Sequence, residues 1–270
     1  MKTALIRSRG GRFLIWDEPK HRAKYVLGVD ISEGKVRDRK RSSRAQLYSY
    51  SDERPDYSAV MVVEIETGQH VASWHGYVQP TDFYPIVAAI GYHYNTALIV
   101  PEINAMGVTV VEGLVKILDY PNVYRSKIWN RVEADPLGSE WGWRTTTNSR
   151  PYLIARLDEA IQQGRLFTRD AQLVDELRTM QYDEMGVPRA SGKDKDDRVM
   201  ALGLALQGRY ESLNGTAGSV DPAPWGSNPL ADQRWNLVQK ELESRNHGHR
   251  PPGARGRPRP IPRSRRISAW

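Results

Sequence analysis

Short apolar runs alternate with longer amphipathic segments along the chain, and this alternation predicts an α/β fold. The first strand is predicted to end at Asp30, and the second and third are predicted to form a hairpin that turns at Gly68. Pro101, which follows a buried apolar run, is expected to end the pairing of its strand because proline has no N–H to donate. The predicted strands are residues 24–30, two within 56–78, 97–100 and 122–129.

Apolar residues at helical spacing predict five helices in the body of the chain. In the second of them, Val110, Leu114 and Ile117 are expected to share the buried face. Ser149 and Asp170 are expected to cap the third and the fourth. The order of elements predicts a mixed central sheet flanked by helices, antiparallel at one side and parallel at the other. The predicted helices are residues 82–95, 107–119, 149–164, 170–182 and 196–210.

Composition divides the chain into three parts. Residues 1–23 are polar and irregular and are predicted to be an N-terminal extension, whereas residues 24–210 are predicted to form one domain. Residues 211–270 contain a predicted linker, a short helix at about 229–244 and a basic C-terminal tail rich in Arg and Pro. Because this tail cannot bury enough apolar surface to fold alone, it is expected to be disordered.

Charge is distributed unevenly along the 270 residues, whose net charge is +7. Residues 1–50 carry 13 Lys and Arg against 5 Asp and Glu, and residues 245–270 carry 8 Arg and no acid, whereas the body between them is acidic. Basic ends beside an acidic centre suit a protein that holds a polyanion while a cation-filled site acts on it. The alternative is that the basic ends only increase solubility.

The chain contains no cysteine, which excludes disulfides and cysteine-ligated metal centres and favours a reducing compartment. No apolar run reaches the ~18 residues that a membrane span needs, and the N-terminus does not resemble a signal peptide. A soluble, intracellular protein without a membrane partner is therefore expected.

Carboxylates follow two of the predicted strands and open the last predicted helix. Asp30 ends the first strand and Glu102 follows the strand at 97–100, while Asp196 and Asp197 begin the helix. If the two strands are neighbours, these acids meet at the carboxyl edge of the sheet, where cations must offset their repulsion. Oxygen ligands suit Mg²⁺ or Mn²⁺, and two such ions can support phosphodiester hydrolysis. Each acid taken alone also fits an ordinary turn or helix start.

Five segments, in this order, resemble the nuclease domain of the bacteriophage terminase large subunit, a domain with the ribonuclease H-like fold. They are YVLGVDISEG, DYSAVMVVEIETGQHVASWHG, ALIVPEINAMG, GWRTTTNSRPYLIARLDEAI and DDRVMALGLAL. The resemblance implies a metal-dependent endonuclease that cuts concatemeric double-stranded DNA in the host cytoplasm with two Mg²⁺ or Mn²⁺ ions. It also implies three protein partners, namely a terminase ATPase domain, a small terminase subunit and the portal.

The resemblance assigns roles to individual acids. Asp30, Glu102 and Asp197 are expected to be the catalytic metal ligands, with Asp30 between the two ions. Asp196 is a further candidate ligand, and Asp56 is a candidate supporting acid. No histidine is expected to be placed as a base, so the ions would activate the attacking water. The sequence has no GxxxxGK[ST] phosphate-binding loop, and no ATPase motor is expected within this chain.

Two sets of polar residues are predicted to contact the DNA backbone. The first belongs to a basic insertion at residues 35–55, for which the alternative is a merely solvated loop. The second belongs to the GWRTTTNSRP segment, where hydroxyl, amide and guanidinium groups suit phosphates, and for which the alternative is helix capping. The candidates are Lys35, Arg37, Arg39, Lys40, Arg41, Arg44, Thr145, Thr147, Asn148 and Arg150.

Two other functions stay open on the sequence alone. A different ribonuclease H-like enzyme, such as a resolvase or a transposase, would use the same carboxylates, and a resolvase would act as a dimer on four-way junctions. A non-catalytic module would instead dock on a portal or a capsid through its arginine-rich tail and would not need the carboxylates.

Overall fold

The computed structural model describes residues 12–32, 57–104, 106–129, 136–192 and 194–215. The basic insertion predicted at 35–55, the supporting acid Asp56 and the predicted helix and tail beyond residue 215 therefore lie outside the described residues.

The strands within the described residues build one central sheet and two small hairpins. They are β1 (Phe13–Ile15), β2 (Tyr25–Asp30), β3 (Ser58–Glu64), β4 (His70–Gly76), β5 (Leu98–Pro101), β6 (Arg125–Trp129), β7 (Pro136–Trp141), β8 (Met180–Tyr182) and β9 (Pro188–Ala190). The helices are α1 (Pro80–His93), α2 (Gly107–Glu112), α3 (Ser149–Gln162), α4 (Ala171–Thr179) and α5 (Asp197–Leu213).

The central sheet has five strands in the order β1-β4-β3-β2-β5. Strands β2 and β5 are parallel, whereas all other neighbours are antiparallel. The hairpin of β3 and β4 turns through Gly68, whose φ of 74° favours glycine. The predicted mixed α/β sheet is confirmed, with the antiparallel hairpin at one side and the parallel pair at the other.

Helices cover both faces of the sheet, and alternate strand residues divide between the two resulting cores. Leu27 and Val29 of β2 pack in the core that includes α1 and α2. Val26 of the same strand packs in the second core, with Ala201 and Ala205 of α5. The face covered by α5 is the one that carries the carboxylates.

The second helix differs from the prediction, because a π-helical turn, Gly113–Ile117, follows α2. A π-turn widens the helix by one residue and rotates the side chains that follow it around the axis. Val110 and Leu114 are buried as expected, but Ile117 is 58% exposed and Leu118 is buried instead. The expectation that Ile117 shares the buried face is therefore wrong.

Several strands also depart from the prediction. Residues 13–15 form β1 on the edge beside β4, rather than an irregular extension. Pro101 does not end the pairing: it is the last residue of β5, and the next N–H, that of Glu102, donates to the Val29 carbonyl at 2.9 Å. Strand β6 pairs with β7 in a separate sheet, and residues 180–182 form β8 rather than a continuation of α4.

The two predicted helix caps have different outcomes. Asp170 caps α4, because its Oδ1 accepts from the N–H groups of Gln172 and Leu173 at 3.0 and 3.2 Å. The N-cap of α3 is Asn148 rather than Ser149, and its side chain makes no capping hydrogen bond. No helix among the described residues is long and apolar enough to cross a membrane.

Candidate active site

Strand register places four residues in one row across the sheet. Asp30 lies opposite Ala59, and Ala59 lies opposite His75. On the other side of β2, the parallel pairing of Val29 with Pro101 brings Glu102 beside Asp30. Residues that face each other in a sheet point to the same side, so both acids and the histidine lie on the face covered by α5.

Helix α5 adds the third acid, Asp197, in its first turn. The helix packs closely on β2 because Gly28 presents no side chain to it: a Cβ at Gly28 would lie 1.8 Å from the Ala201 carbonyl oxygen. The first turn is also tied to α4, since the N–H of Arg198 donates to Glu176 at 2.9 Å and its guanidinium at 2.5 Å. The start of α5 is therefore fixed over the end of β2.

The electrostatics of the site centre on Asp30. Its pKa is raised well above its usual range, first by desolvation, then by the charge of Glu102 and a hydrogen bond shared with it, and further by Asp197 and Asp196. The side chain keeps some contact with solvent, although protein atoms crowd around it. The other three acids are thus close enough to Asp30 to disfavour its charged form.

Glu102 is oriented by Asn104. The Asn104 amide donates to Glu102 Oε1 at 3.0 Å and to the carbonyl of Thr145 at 2.7 Å. Glu102 also forms an isolated parallel bridge with Trp143. These contacts place the segment that leads into α3 directly beside the acids.

The two acids that were expected to open α5 have different surroundings. Asp196 pairs with Arg150, and its Oδ2 also accepts from the N–H of Ala190 at 3.3 Å. Asp197 Oδ2 lies 3.5 Å from His75 Nε2, and both atoms are buried without a hydrogen bond. Asp196 is therefore already neutralised by a cation of the protein, whereas Asp197 is left for another partner.

His75 lies beside Asp197, a position that the sequence interpretation did not anticipate when it expected no histidine to be placed as a base. Its ring packs against Tyr57, with the ring centroids 4.9 Å apart. Successive side chains of β4 point to opposite faces of the sheet, so His75 shares a face with the buried Ser73 and lies opposite to the core residue Trp74. This alternation could have indicated from the sequence which face His75 occupies. His75 comes into line with Asp30 only because β4 pairs with β3 and β3 pairs with β2.

The predicted DNA-contacting residues are only partly described. Lys35, Arg37, Arg39, Lys40, Arg41 and Arg44 lie outside the described residues. Thr147 and Asn148 are exposed, and Thr145 Oγ1 is buried without a hydrogen-bond partner. Arg150 is occupied, since it binds Asp196 and donates from Nε to the Pro188 carbonyl at 2.8 Å.

The donor set suits a hard divalent cation, with carboxylate oxygens from three separate elements of the fold and one unpaired buried oxygen on Asp197. Within the described ranges, however, no three Asp, Glu or His side chains are already gathered closely enough to hold an ion. Asp30 and Glu102 share a hydrogen bond, whereas Asp197 lies beside them on the facing helix.

The fold defined by these elements is the ribonuclease H-like α/β fold, and solved structures with it are similar to this chain. The large terminase nuclease of thermophilic phage G20c with bound magnesium has a TM-score of 0.53 at 20% identity, covering 74% of this chain and 89% of that one. Its cobalt-bound form has a TM-score of 0.54 at 21% identity, with the same coverage. The large terminase nuclease domain of Thermus phage P74-26 has a TM-score of 0.51 at 21% identity, covering 76% of this chain and 88% of that one.

No protein-family model and no curated protein matches the chain. At about 20% identity the structural likeness establishes the fold. The predicted ribonuclease H-like fold is confirmed, and the resemblance to the terminase nuclease domain holds at the level of the fold.

Proposed function

We propose that this chain is a divalent-metal-dependent DNA endonuclease of a phage terminase, which cuts concatemeric double-stranded DNA during genome packaging in the host cytoplasm. The observation that carries the proposal is the meeting of three acids from separate elements. Asp30 ends β2, Glu102 follows β5 and Asp197 begins α5, and all three face the same side of the sheet. The shared fold with terminase nucleases, one of them with bound magnesium, supports the same conclusion.

The acids fit the roles of metal ligands. Asp30 is central in the row and interacts with both Glu102 and Asp197, so it is suited to bridge two cations. Glu102 would hold one cation, oriented by Asn104, and Asp197 would hold the other, fixed by the packing of α5. Asp196 is less suited to direct ligation because Arg150 occupies it. When bound, two Mg²⁺ or Mn²⁺ ions supply activation of the attacking water and stabilisation of the departing 3′ oxygen.

Substrate would approach the exposed carboxyl edge of the sheet. Thr147 and Asn148 flank the acids with exposed polar groups that can donate to phosphate oxygens. The basic residues between 35 and 44 are proposed to hold the DNA backbone from the segment that follows β2. In a packaging machine the domain would act with an ATPase domain, a small terminase subunit and the portal.

The proposal is tested by incubating supercoiled plasmid with the full chain in Mg²⁺, in Mn²⁺ and in EDTA. Wild-type protein should nick and linearise the plasmid only when the cation is present. Asp30→Asn, Glu102→Gln and Asp197→Asn should each lose cleavage, because each removes an anionic ligand while keeping the size of the side chain. Circular dichroism and thermal melts establish that the variants are folded.

The matched control is Asp175→Asn, which makes the same change on α4 at a side chain that is 72% exposed and paired with Arg178. This variant should cleave like the wild type. A folded Asp30→Asn protein that cleaves as fast as the wild type would show that the acids are not the catalytic centre. Cleavage that persists in EDTA would show that the reaction does not need a cation.

A further inference from the structure

The unpaired contact between His75 and Asp197 needs an explanation. Buried polar atoms are nearly always hydrogen-bonded, yet His75 Nε2 and Asp197 Oδ2 face each other at 3.5 Å with no hydrogen bond to either. An N–H···O bond is normally about 2.7–3.2 Å long. The two atoms are therefore too far apart for a good hydrogen bond and too close for water to lie between them.

The separation suits two ligands of one metal ion. Nitrogen and oxygen ligands lie about 2.0–2.2 Å from a small divalent ion, which places two neighbouring ligands about 2.8–3.1 Å apart in octahedral and about 3.3–3.6 Å apart in tetrahedral coordination. The 3.5 Å between His75 Nε2 and Asp197 Oδ2 falls within the tetrahedral range. A single small ion could satisfy both buried atoms at once.

Both side chains are held in place by the fold. His75 lies on β4 with its ring against Tyr57, and its backbone N–H donates to Arg12 at 3.3 Å. Asp197 lies in the first turn of α5, next to Arg198, which is bound to Glu176. The pair is therefore set by the sheet register and by the packing of two helices, and not by a chance rotamer on the surface.

From these contacts we infer that His75 is a nitrogen ligand for the cation held by Asp197, which makes the two cation positions of the site chemically different. The inference rests on the proposed metal-dependent function. The position between Asp30 and Glu102 has oxygen ligands only and suits Mg²⁺ or Mn²⁺. The position between His75 and Asp197 has a mixed ligand set, and imidazole favours later transition metals such as Co²⁺ and Zn²⁺ over Mg²⁺.

The test measures cation binding directly, by titration calorimetry on metal-free full-length protein at one fixed pH, with Co²⁺ and with Mg²⁺. His75→Ala should lower Co²⁺ affinity at one position at least tenfold and change Mg²⁺ affinity by less than about threefold. His75→Gln should behave in the same way, because its amide can still donate a hydrogen bond to Asp197 but is a poor ligand for Co²⁺. His93→Gln is the matched control, since His93 lies on α1 and faces Glu18 rather than Asp197, and the variant should bind both ions like the wild type.

The outcomes separate the inference from the proposed function. If His75→Gln restores wild-type Co²⁺ affinity, or if both variants lose Mg²⁺ and Co²⁺ equally, His75 only positions Asp197 and the inference is overturned. Such a result would leave plasmid cleavage and its loss in Asp30→Asn unaffected. Conversely, selective loss of Co²⁺ affinity in a protein that cleaves no DNA would support the ligand and refute the nuclease.

Discussion

The close packing of α5 on β2 leads to a sharp prediction for Gly28→Ala. The added Cβ would lie 1.8 Å from the Ala201 carbonyl oxygen and 2.4 Å from the Ala205 nitrogen, both of them backbone atoms of α5. Because real Cβ atoms do not approach within 3.0 Å of such atoms, strand and helix must separate by roughly 1 Å. No flexible side chain is available to absorb this movement.

The expected cost follows from this displacement. Forcing an extra methyl group into a packed core costs about 1–3 kcal/mol, and the movement of backbone places Gly28→Ala at the upper end. Replacing a strand glycine returns about 0.5–1 kcal/mol, which offsets only part of that cost. A net loss of about 2 kcal/mol corresponds to a fall in Tm of about 4–8 °C for a domain of this size.

The same displacement should reduce activity, because Asp197 lies at the start of the helix that moves. A misplacement of about 1 Å at a catalytic group can lower a rate about 100-fold. Differential scanning fluorimetry would measure the change in Tm, and plasmid nicking in Mn²⁺, well below the Tm of the variant, would measure the rate.

Gly203→Ala is the matched control on α5 itself. Its Cβ would lie 3.4 Å from Leu153 Cβ, an ordinary contact, and removal of a helix glycine stabilises by about 1 kcal/mol. This variant should melt about 2–4 °C above the wild type and cleave normally. If Gly28→Ala were as stable and as active as the wild type, α5 would not be held against β2 as described, and the placement of Asp197 would be wrong.

Three further predictions concern charge and capping. Asp30→Asn should raise the Tm of metal-free protein at neutral pH, because it removes a carboxyl group whose charged form is disfavoured by burial and by the neighbouring acids. It should also reduce the stabilisation of about 2.7 kcal/mol expected for one cation at a hundredfold excess over Kd. Burial lowers the pKa of His70 from 6.5 to about 4, so the free energy of unfolding of the wild type should fall by roughly 3 kcal/mol as the pH drops from above 6.5 to 4. His70→Phe should lack this part of the pH dependence. Asp170→Ala should cost about 2–3 kcal/mol in urea unfolding, since two N–H groups of α4 lose their cap and the buried Ser73 hydroxyl loses its acceptor.

Each of these predictions has an outcome that would contradict it. A metal-free Asp30→Asn protein that melts below the wild type would show that the acids do not repel each other. If the free energy of unfolding of the wild type depends on pH between 7 and 4 no more than that of His70→Phe, the imidazole of His70 is exposed to solvent rather than buried. Asp175→Ala, an exposed change on the same helix as the Asp170 cap, should cost less than about 0.5 kcal/mol.

That Asp30, Glu102 and Asp197 lie near one another could be predicted, because strand ends and helix starts are local features and the carboxyl edge of parallel strands brings them together. Their role as metal ligands stays a prediction. His75 could not be placed, since its position depends on a register that runs through β3 and couples residues far apart in the chain. The pairing of Arg150 with Asp196 was hidden for the same reason, although both residues were already candidates.

Local departures have a similar origin. Nothing in the apolar spacing of residues 107–119 distinguishes an α-helix that continues from one that widens into a π-turn. The π-turn begins where Gly113 meets the ring of Tyr84: a Cβ there would lie 2.3 Å from that ring, so helix and ring approach closely only because the residue is glycine. Tertiary packing on α1 therefore coincides with the point at which Ile117 turns outward to solvent and Leu118 turns inward.

Some acids around the sheet edge are paired with an arginine and others are not, and this difference is the physical argument for a cation site. Glu176 and Asp196 are each given a guanidinium, from Arg198 and Arg150 respectively, so their charges are already balanced. Asp30 and Asp197 receive no Lys or Arg in any described ion pair, although a buried charge without a partner is costly. Among the described residues, arginines pair with the flanking acids and none pairs with the two central ones, which leaves room there for a further positive charge. Divalent cations meet that requirement with the smallest volume, and they would be expected to stabilise the folded protein as well as to enable its chemistry.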